Sequence, residues 1–488
     1  MGRPCGWPPE LGRSYLNTRT MASASRCVSR LTISNQNPHF GACIPPLNRE
    51  TETKCYTTPS GRMDVANVWH GEKMKYQLEC LKTGDLIDDA YTLHYTDNAL
   101  LRAVYNEPFQ LQANEKGVWK YLSWIPTSKA NAYVAGTVTY KAEALGEAMG
   151  LSNLWVSFHG HWPEKGGLCP TGSFKDMEAV PTIQRMHDHA CKGLICASAG
   201  NTARAFTHFC GLDGTPLIVV VGKDHGDRIW ARPENNAESV RVVVVEDGDY
   251  YAAKNVAKGI AAQLPGWQME GSVHNVARRD GIGSLMLDAA FTIGRLPDHY
   301  FQGVGGGPGP IGIHEMAERL IEEGLFEGPS PRQHLSQNVE HHPIHSAWQA
   351  GRDHLVPEDY PTEEVEVYSD YLLNKGPAYG QVGAVHDILK GSNGQTYIVE
   401  RAAAIAAREM IESIEGIDIM TPGAVAAASL QQALEAGEVD KDDCILLNIS
   451  GGGTQRLKSE IETRTVEPWL RVKKATGVES ILEKLAGE

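Results

Sequence analysis

A recurring order of short β-branched strand, glycine-bearing turn and amphipathic helix constrains this chain more than any other feature. Pro216 to Gly222 (PLIVVVG) and Val240 to Val245 are runs of buried-strand length. Asp249 to Leu264 follows the second with apolar residues at helical spacing and an aspartate placed to cap it. His299 to Val304 reads as another strand, followed by a glycine-rich turn and a helix over Ile313 to Leu325. Arg401 to Ile414 and Val425 to Leu434 read as alanine-rich helices, and Cys444 to Ile449 as a last buried strand. Strand, turn and helix repeated in this way predict parallel βαβ units, hence an α/β fold with ligands at the carboxyl ends of its strands.

Composition excludes some functions. The 488 residues carry a net charge of −15, which disfavours a nucleic-acid partner whose phosphates need neutralising. No stretch approaches the roughly 20 apolar residues of a membrane span. The charge is uneven: residues 1–73 hold nine Lys/Arg against five Asp/Glu, and none of the acids lies between Leu11 and Arg49. Arg-rich, Ser-rich and acid-poor is the composition of an organellar transit peptide. The other reading is a start at Met74. On either reading, 1–73 is an extension outside the fold. The cysteines from Cys80 onward form no Cys-x-x-Cys pair, so neither a zinc site nor a disulfide framework is expected. The cytoplasm is the expected compartment, or a mitochondrion or plastid if the extension is a real transit peptide. His341, His342 and His345 are read as part of a solvated loop.

Three loops carry chemistry. In Thr171-Gly-Ser-Phe-Lys-Asp176, Gly172 and Ser173 are turn and cap residues before a helix opening at Phe174. Lys175 then falls in a first helical turn, where the macrodipole disfavours a cation and lowers an amine's pKa, as suits a Schiff-base lysine; the other reading is an exposed lysine near a helix start. Ala197-Ser-Ala-Gly-Asn-Thr202 follows a strand, Gly193 to Cys196, and could cap the next helix or present N–H groups to an anion. Gly303-Val-Gly-Gly-Gly-Pro-Gly309 has five glycines in seven residues, which lets backbone approach a phosphate closely.

In this order and spacing the loops resemble the fold-type II (tryptophan synthase β-like) pyridoxal-phosphate enzymes, threonine synthase in particular. Ser173-Phe-Lys-Asp176 resembles the Schiff-base motif, Ser198-Ala-Gly-Asn-Thr202 the loop whose Asn meets the cofactor's ring hydroxyl, and Ser450-Gly-Gly-Gly453 the late loop at the pyridine nitrogen. Tyr140-Lys-Ala-Glu-Ala-Leu145, Trp162-Pro-Glu-Lys-Gly166, Asn275-Val-Ala-Arg-Arg279 and Pro297-Asp-His-Tyr-Phe-Gln302 are similar to the cysteate synthase family. The resemblance runs from about Tyr121 to about Lys458.

The resemblance implies two parallel-sheet subdomains with pyridoxal 5'-phosphate between them. The larger would comprise 121–185 and 275–465 and the smaller 186–274, with a degenerate ribbon-like segment at 74–120 and a C-terminal tail at 466–488. It implies conversion of O-phospho-L-serine and sulfite to L-cysteate and phosphate, a step of coenzyme M biosynthesis, by a homo-oligomer. Threonine synthase or a phosphoserine sulfhydrylase is the alternative. Lys175 would be catalytic. Lys175, Asn201, Gly303, Gly305, Gly306, Gly307 and Ser450 would hold the cofactor, and no metal is expected. Thr202, Asn275 and Arg278 would meet the substrate phosphate; the competing reading of Arg278 is an ion pair with Asp280 or another acid. Cys80 is followed by Thr83 rather than a second cysteine, against a ribbon metal, and Val273 stands where threonine synthases carry a serine. A chain starting at Met74 is expected to fold and load cofactor like the full chain; loss of soluble, cofactor-loaded protein on that truncation would refute it.

Overall fold

The computed structural model describes residues 75–198 and 200–488; the expected 1–73 extension lies outside them. Two sheets dominate. The larger has six strands in the order Gln395–Val399, Arg332–Asn338, His299–Gly303, Ile445–Ile449, Leu154–Phe158 and Val138–Lys141. All neighbours in it are parallel except the last pair. The smaller has five parallel strands, Trp267–Met269, Gly193–Cys196, Leu217–Gly222, Val240–Val245 and Leu470–Val472. Val240–Val245 is apolar at five of six positions because neighbours cover both its faces. A separate three-stranded antiparallel sheet is made by Tyr76–Cys80, Leu86–Ile87 and Leu101–Tyr105.

The helix over Tyr250–Gln263 starts as read, with Asp249 accepting from the N–H groups of Tyr251 and Ala252 at 3.0 Å each. The helix after the glycine loop begins at Pro308, earlier than its apolar spacing suggests, because proline at a first helical position is pre-set for the turn. Two expectations fail. Residues 466–488 are no tail: Leu470–Val472 extends the smaller sheet beside Val240–Val245, and Gly477–Ala486 packs on the Tyr250–Gln263 helix. The histidine stretch is no solvated loop. His341 is buried with Nε2 3.0 Å from the Asn374 carbonyl, and Pro343–Gln349 forms a short helix.

Three helices meet beneath the site: Lys175–Asp188, Val276–Ile293 and Pro308–Glu322. Their backbones approach so closely that a side chain at Gly281 would run into the Met177 carbonyl, and one at Gly312 into that of Arg279. Glycine there is a packing requirement. Ile481 is fully buried among Val256, Ile260 and their neighbours. Ile481→Ala should therefore cost about 2–5 kcal/mol in urea unfolding, whereas a disordered tail would leave the midpoint unchanged.

Candidate active site

Lys175 opens the Lys175–Asp188 helix, directly behind Phe174. Ser173 does not cap it by hydrogen bond as expected; its backbone is taken by a bridge to Gly451, and its buried hydroxyl has no partner. The loop is pinned instead by Asp176, which accepts from Thr171 N at 2.7 Å and Thr171 Oγ1 at 2.5 Å. Burial pushes the Asp176 carboxyl up to about 7, against the pull of those hydrogen bonds.

The Lys175 and Ser450 loops are in direct contact, and the Asn201 loop reaches them through Met420. Phe174 N donates to the Ser450 carbonyl at 3.1 Å and Gly452 N to the Gly172 carbonyl at 3.0 Å, which sets the Ser450 loop against the Lys175 loop. Asn201 is the first residue of its helix, with Gly200 before it, so its side chain does not cap. It donates to Met420 Sδ at 3.4 Å and accepts from Arg204. Met420 N in turn donates to the Gly451 carbonyl at 2.8 Å. Gly303 abuts Pro422, Gly305 abuts Tyr371 and Leu372, and the Gly306 carbonyl accepts from Ala378 N at 3.1 Å. At Gly307 φ is +98°, a conformation side chains resist, and an added Cβ would lie 2.8 Å from Val385. Ser450 is buried.

The electrostatics centre on Lys175. Its side chain is 16% exposed, and Nζ lies 2.5 Å from Glu178 Oε1. The other Glu178 oxygen accepts from Arg278 Nε at 2.7 Å and from its Nη2, while Arg278 Nη1 donates to Glu270. Two cations and two carboxylates thus alternate in a buried row. Burial lowers the Lys175 pKa, opposed by Glu178 and assisted by Arg278. Burial alone would raise the Glu178 carboxyl, but Arg278 and Lys175 hold it below the usual range.

The residues expected at a substrate phosphate fare differently. Thr202 is half-buried in the first turn of the Asn201 helix. Asn275 is saturated by the protein: Oδ1 accepts from Arg185 Nη1 at 2.8 Å and Ala277 N at 3.0 Å, and Nδ2 donates to the Glu270 carbonyl at 2.9 Å and to Tyr91 at 3.3 Å. Arg278 meets Glu178 and Glu270, not Asp280, which pairs with Arg319 at 2.7 Å. Asn275 is therefore a cap and a brace, and the Arg278 charge is spent on two carboxylates. Sequence reading missed Glu178, whose i,i+3 spacing from Lys175 was a usable signal, and Glu270, for which no local pattern exists.

Arg278→Ala would leave Glu178 buried beside Lys175 alone and Glu270 without a cation, at a cost of about 3–5 kcal/mol near pH 8. In the native protein the depressed Glu178 pKa contributes stability that is present above its unfolded value of about 4.3 and lost below. The gap between the variant and the native protein should accordingly narrow only as pH falls below about 4. Urea unfolding at pH 8 and about pH 3 checks this, and a gap below about 1 kcal/mol at pH 8 would contradict it.

Comparison with known proteins agrees with this geometry. The pyridoxal-phosphate dependent enzyme family matches residues 161–451. Cysteate synthase from Methanosarcina barkeri is 43% identical over 399 residues, covering 80% of this chain and 95% of that protein. Cysteate synthase from Methanocella arvoryzae is 43% identical over 403 residues, covering 82% and 96%. Among solved structures, maize serine racemase has the same fold, with a TM-score of 0.52 at 16% identity over 72% of this chain and 93% of that one. The chain belongs to the pyridoxal-phosphate dependent enzymes, fold-type II, and within them to the family of the cysteate synthases.

Proposed function

We propose that this enzyme replaces the phosphate of O-phospho-L-serine with sulfite, giving L-cysteate and inorganic phosphate, as its relatives' name suggests. The observation that carries the reading is the largely buried Lys175 amine, held at a helix start with a lowered pKa, against the Ser450 loop. The residues fit pyridoxal 5'-phosphate. A Cβ at Gly303, Gly305, Gly306 or Gly307 would crowd Pro422, Leu372, Asn374 or Val385, so only glycine lets this backbone lie as it does at the helix start, where its N–H groups would hold the cofactor's phosphate. When bound, the cofactor supplies an electron sink that acidifies the substrate's Cα–H.

The chain's own residues do the rest. A depressed pKa keeps part of the Lys175 population neutral, able to bind a carbonyl carbon and later to lift and return the Cα proton. Glu178 is the near acceptor for that amine, so it orients Nζ and holds charge balance as the proton moves. Asn201 would meet the cofactor's ring hydroxyl through a side chain already set by Met420 and Arg204. Ser450 would give the ring nitrogen a neutral partner. Thr202 would meet the substrate, while Asn275 and Arg278 brace Glu270 and Glu178 from behind. Overall the Cβ–O bond breaks, a Cβ–S bond forms and the proton returns to Cα, so no oxidant or reductant is consumed.

Further parts of the reading are a homo-oligomeric assembly and a reducing compartment such as the cytoplasm. Support for the second is that the six cysteines of the described residues are free thiols, five of them buried. The test offers phosphoserine with sulfite, with sulfide and alone, and phosphohomoserine in parallel. Cysteate from the first mixture is expected. Threonine from phosphohomoserine, or cysteine from sulfide at a higher rate, would replace the reading. Lys175→Ala should abolish turnover, a loss of at least about a thousandfold in kcat, together with the visible absorption of the loaded enzyme.

A further inference from the structure

A small, strongly cationic cavity of about 200 Å³ shares walls with the candidate active site. Thr171, at the head of the Lys175 loop, forms one side, and Met420, which touches Asn201, forms another. Arg204, Arg408 and Lys458 line it, with Trp230, and no carboxylate does. Arg408 is partly neutralised by Glu412 at 2.8 Å. Lys458 and Arg204 have no ion pair among the described residues. The N–H of Trp230 Nε1 and that of Arg204 Nε are both buried and without an acceptor.

Two orphaned buried donors and two cations without an ion pair, of which Arg204 also donates to Asn201, form an incomplete arrangement. What completes it must be an anion with several acceptor oxygens and little bulk. The volume lies below the roughly 300–1,000 Å³ of ordinary small-molecule pockets, which suits an inorganic oxyanion with a few waters. Arg278, the other cation near Lys175, is already held by two carboxylates and cannot play this part.

We propose that this cavity is the oxyanion site through which sulfite enters, a specificity-determining site for the nucleophile; the assignment rests on the reaction proposed above. The cationic side chains and the indole N–H hold sulfite by its oxygens, which leaves the sulfur lone pair free to form the Cβ–S bond. The same grip serves any pyramidal or tetrahedral oxyanion, so phosphate is the competing occupant.

The experiment uses the cofactor-loaded enzyme and the variants Trp230→Phe and Lys458→Gln, with Lys390→Gln, an exposed helix lysine elsewhere, as a charge control. Sulfite and inorganic phosphate are titrated separately by calorimetry, and phosphate release from phosphoserine is followed with and without sulfite. The expected result is that each cavity variant raises the sulfite Kd and the sulfite KM about tenfold. The KM for phosphoserine and the rate of phosphate release without sulfite should stay within twofold, and Lys390→Gln should change nothing. Native-like sulfite binding in both cavity variants would overturn the site. So would weakened phosphate binding with sulfite untouched, which would make it an exit for product. If the native enzyme releases no phosphate from phosphoserine, the reaction fails while sulfite calorimetry still decides the cavity.

Discussion

The row Lys175–Glu178–Arg278–Glu270 is the interaction on which the site depends. A lone ammonium as buried as Lys175 would be expensive, and a lone carboxylate as buried as Glu178 more so. Alternating the signs makes both tolerable and ties three segments together: the Lys175–Asp188 helix, the Val276–Ile293 helix and the turn carrying Glu270. The same pairing leaves the lysine less basic than in water, because burial outweighs what Glu178 gives back. Packing serves this arrangement. Without glycine at 281 the Val276–Ile293 helix could not come close enough to the Lys175–Asp188 helix for Arg278 to reach Glu178.

The Val276–Ile293 helix carries the network further. Successive residues Arg278, Arg279 and Asp280 are all buried, yet each faces a different partner: the glutamates beside Lys175, Glu315 at 3.1 Å, and Arg319 at 2.7 Å. One helix thereby locks Lys175, the helix after the glycine loop and, through Arg279's bond to the Leu101 carbonyl, the antiparallel sheet. Arg185 does similar work nearby, spanning Asp89 and Asn275 with its whole guanidinium buried. Polar residues at such density in a core specify a geometry more than they add stability.

Several of the strands and the loops were legible because their signals are local. Val240–Val245 is a strand wherever it is read, and Gly303–Gly309 can serve only where backbone comes close. Asp249 capped as its spacing indicated. What was not legible depends on partners distant in sequence. Asn275 looked like a substrate ligand until Arg185, ninety positions away, took its oxygen. Leu470–Val472 is too short to announce itself as a strand; it is one because Val240–Val245 offers an open edge. His341 looked solvated in a polar stretch, and the Asn374 carbonyl accounts for its burial.

The two kinds of cation around the site divide the chemistry. Arg278 is a closed group: its donors are used, its charge is cancelled, and it acts on the lysine through Glu178. Arg204 and Lys458 have no ion pair among the described residues, although Arg204 also donates to Asn201 and keeps a buried, unpartnered Nε–H. Net charge shows why the difference matters. A chain at −15 repels anions overall, so anionic reactants must be drawn by a local field confined to a cleft. A cation already matched to a carboxylate contributes almost nothing to such a field, whereas one without an ion pair contributes more, less so at solvent-exposed Lys458 than at half-buried Arg204. Any attraction of an anion into this site therefore falls to the Arg204 and Lys458 side, and Arg278 keeps the lysine poised.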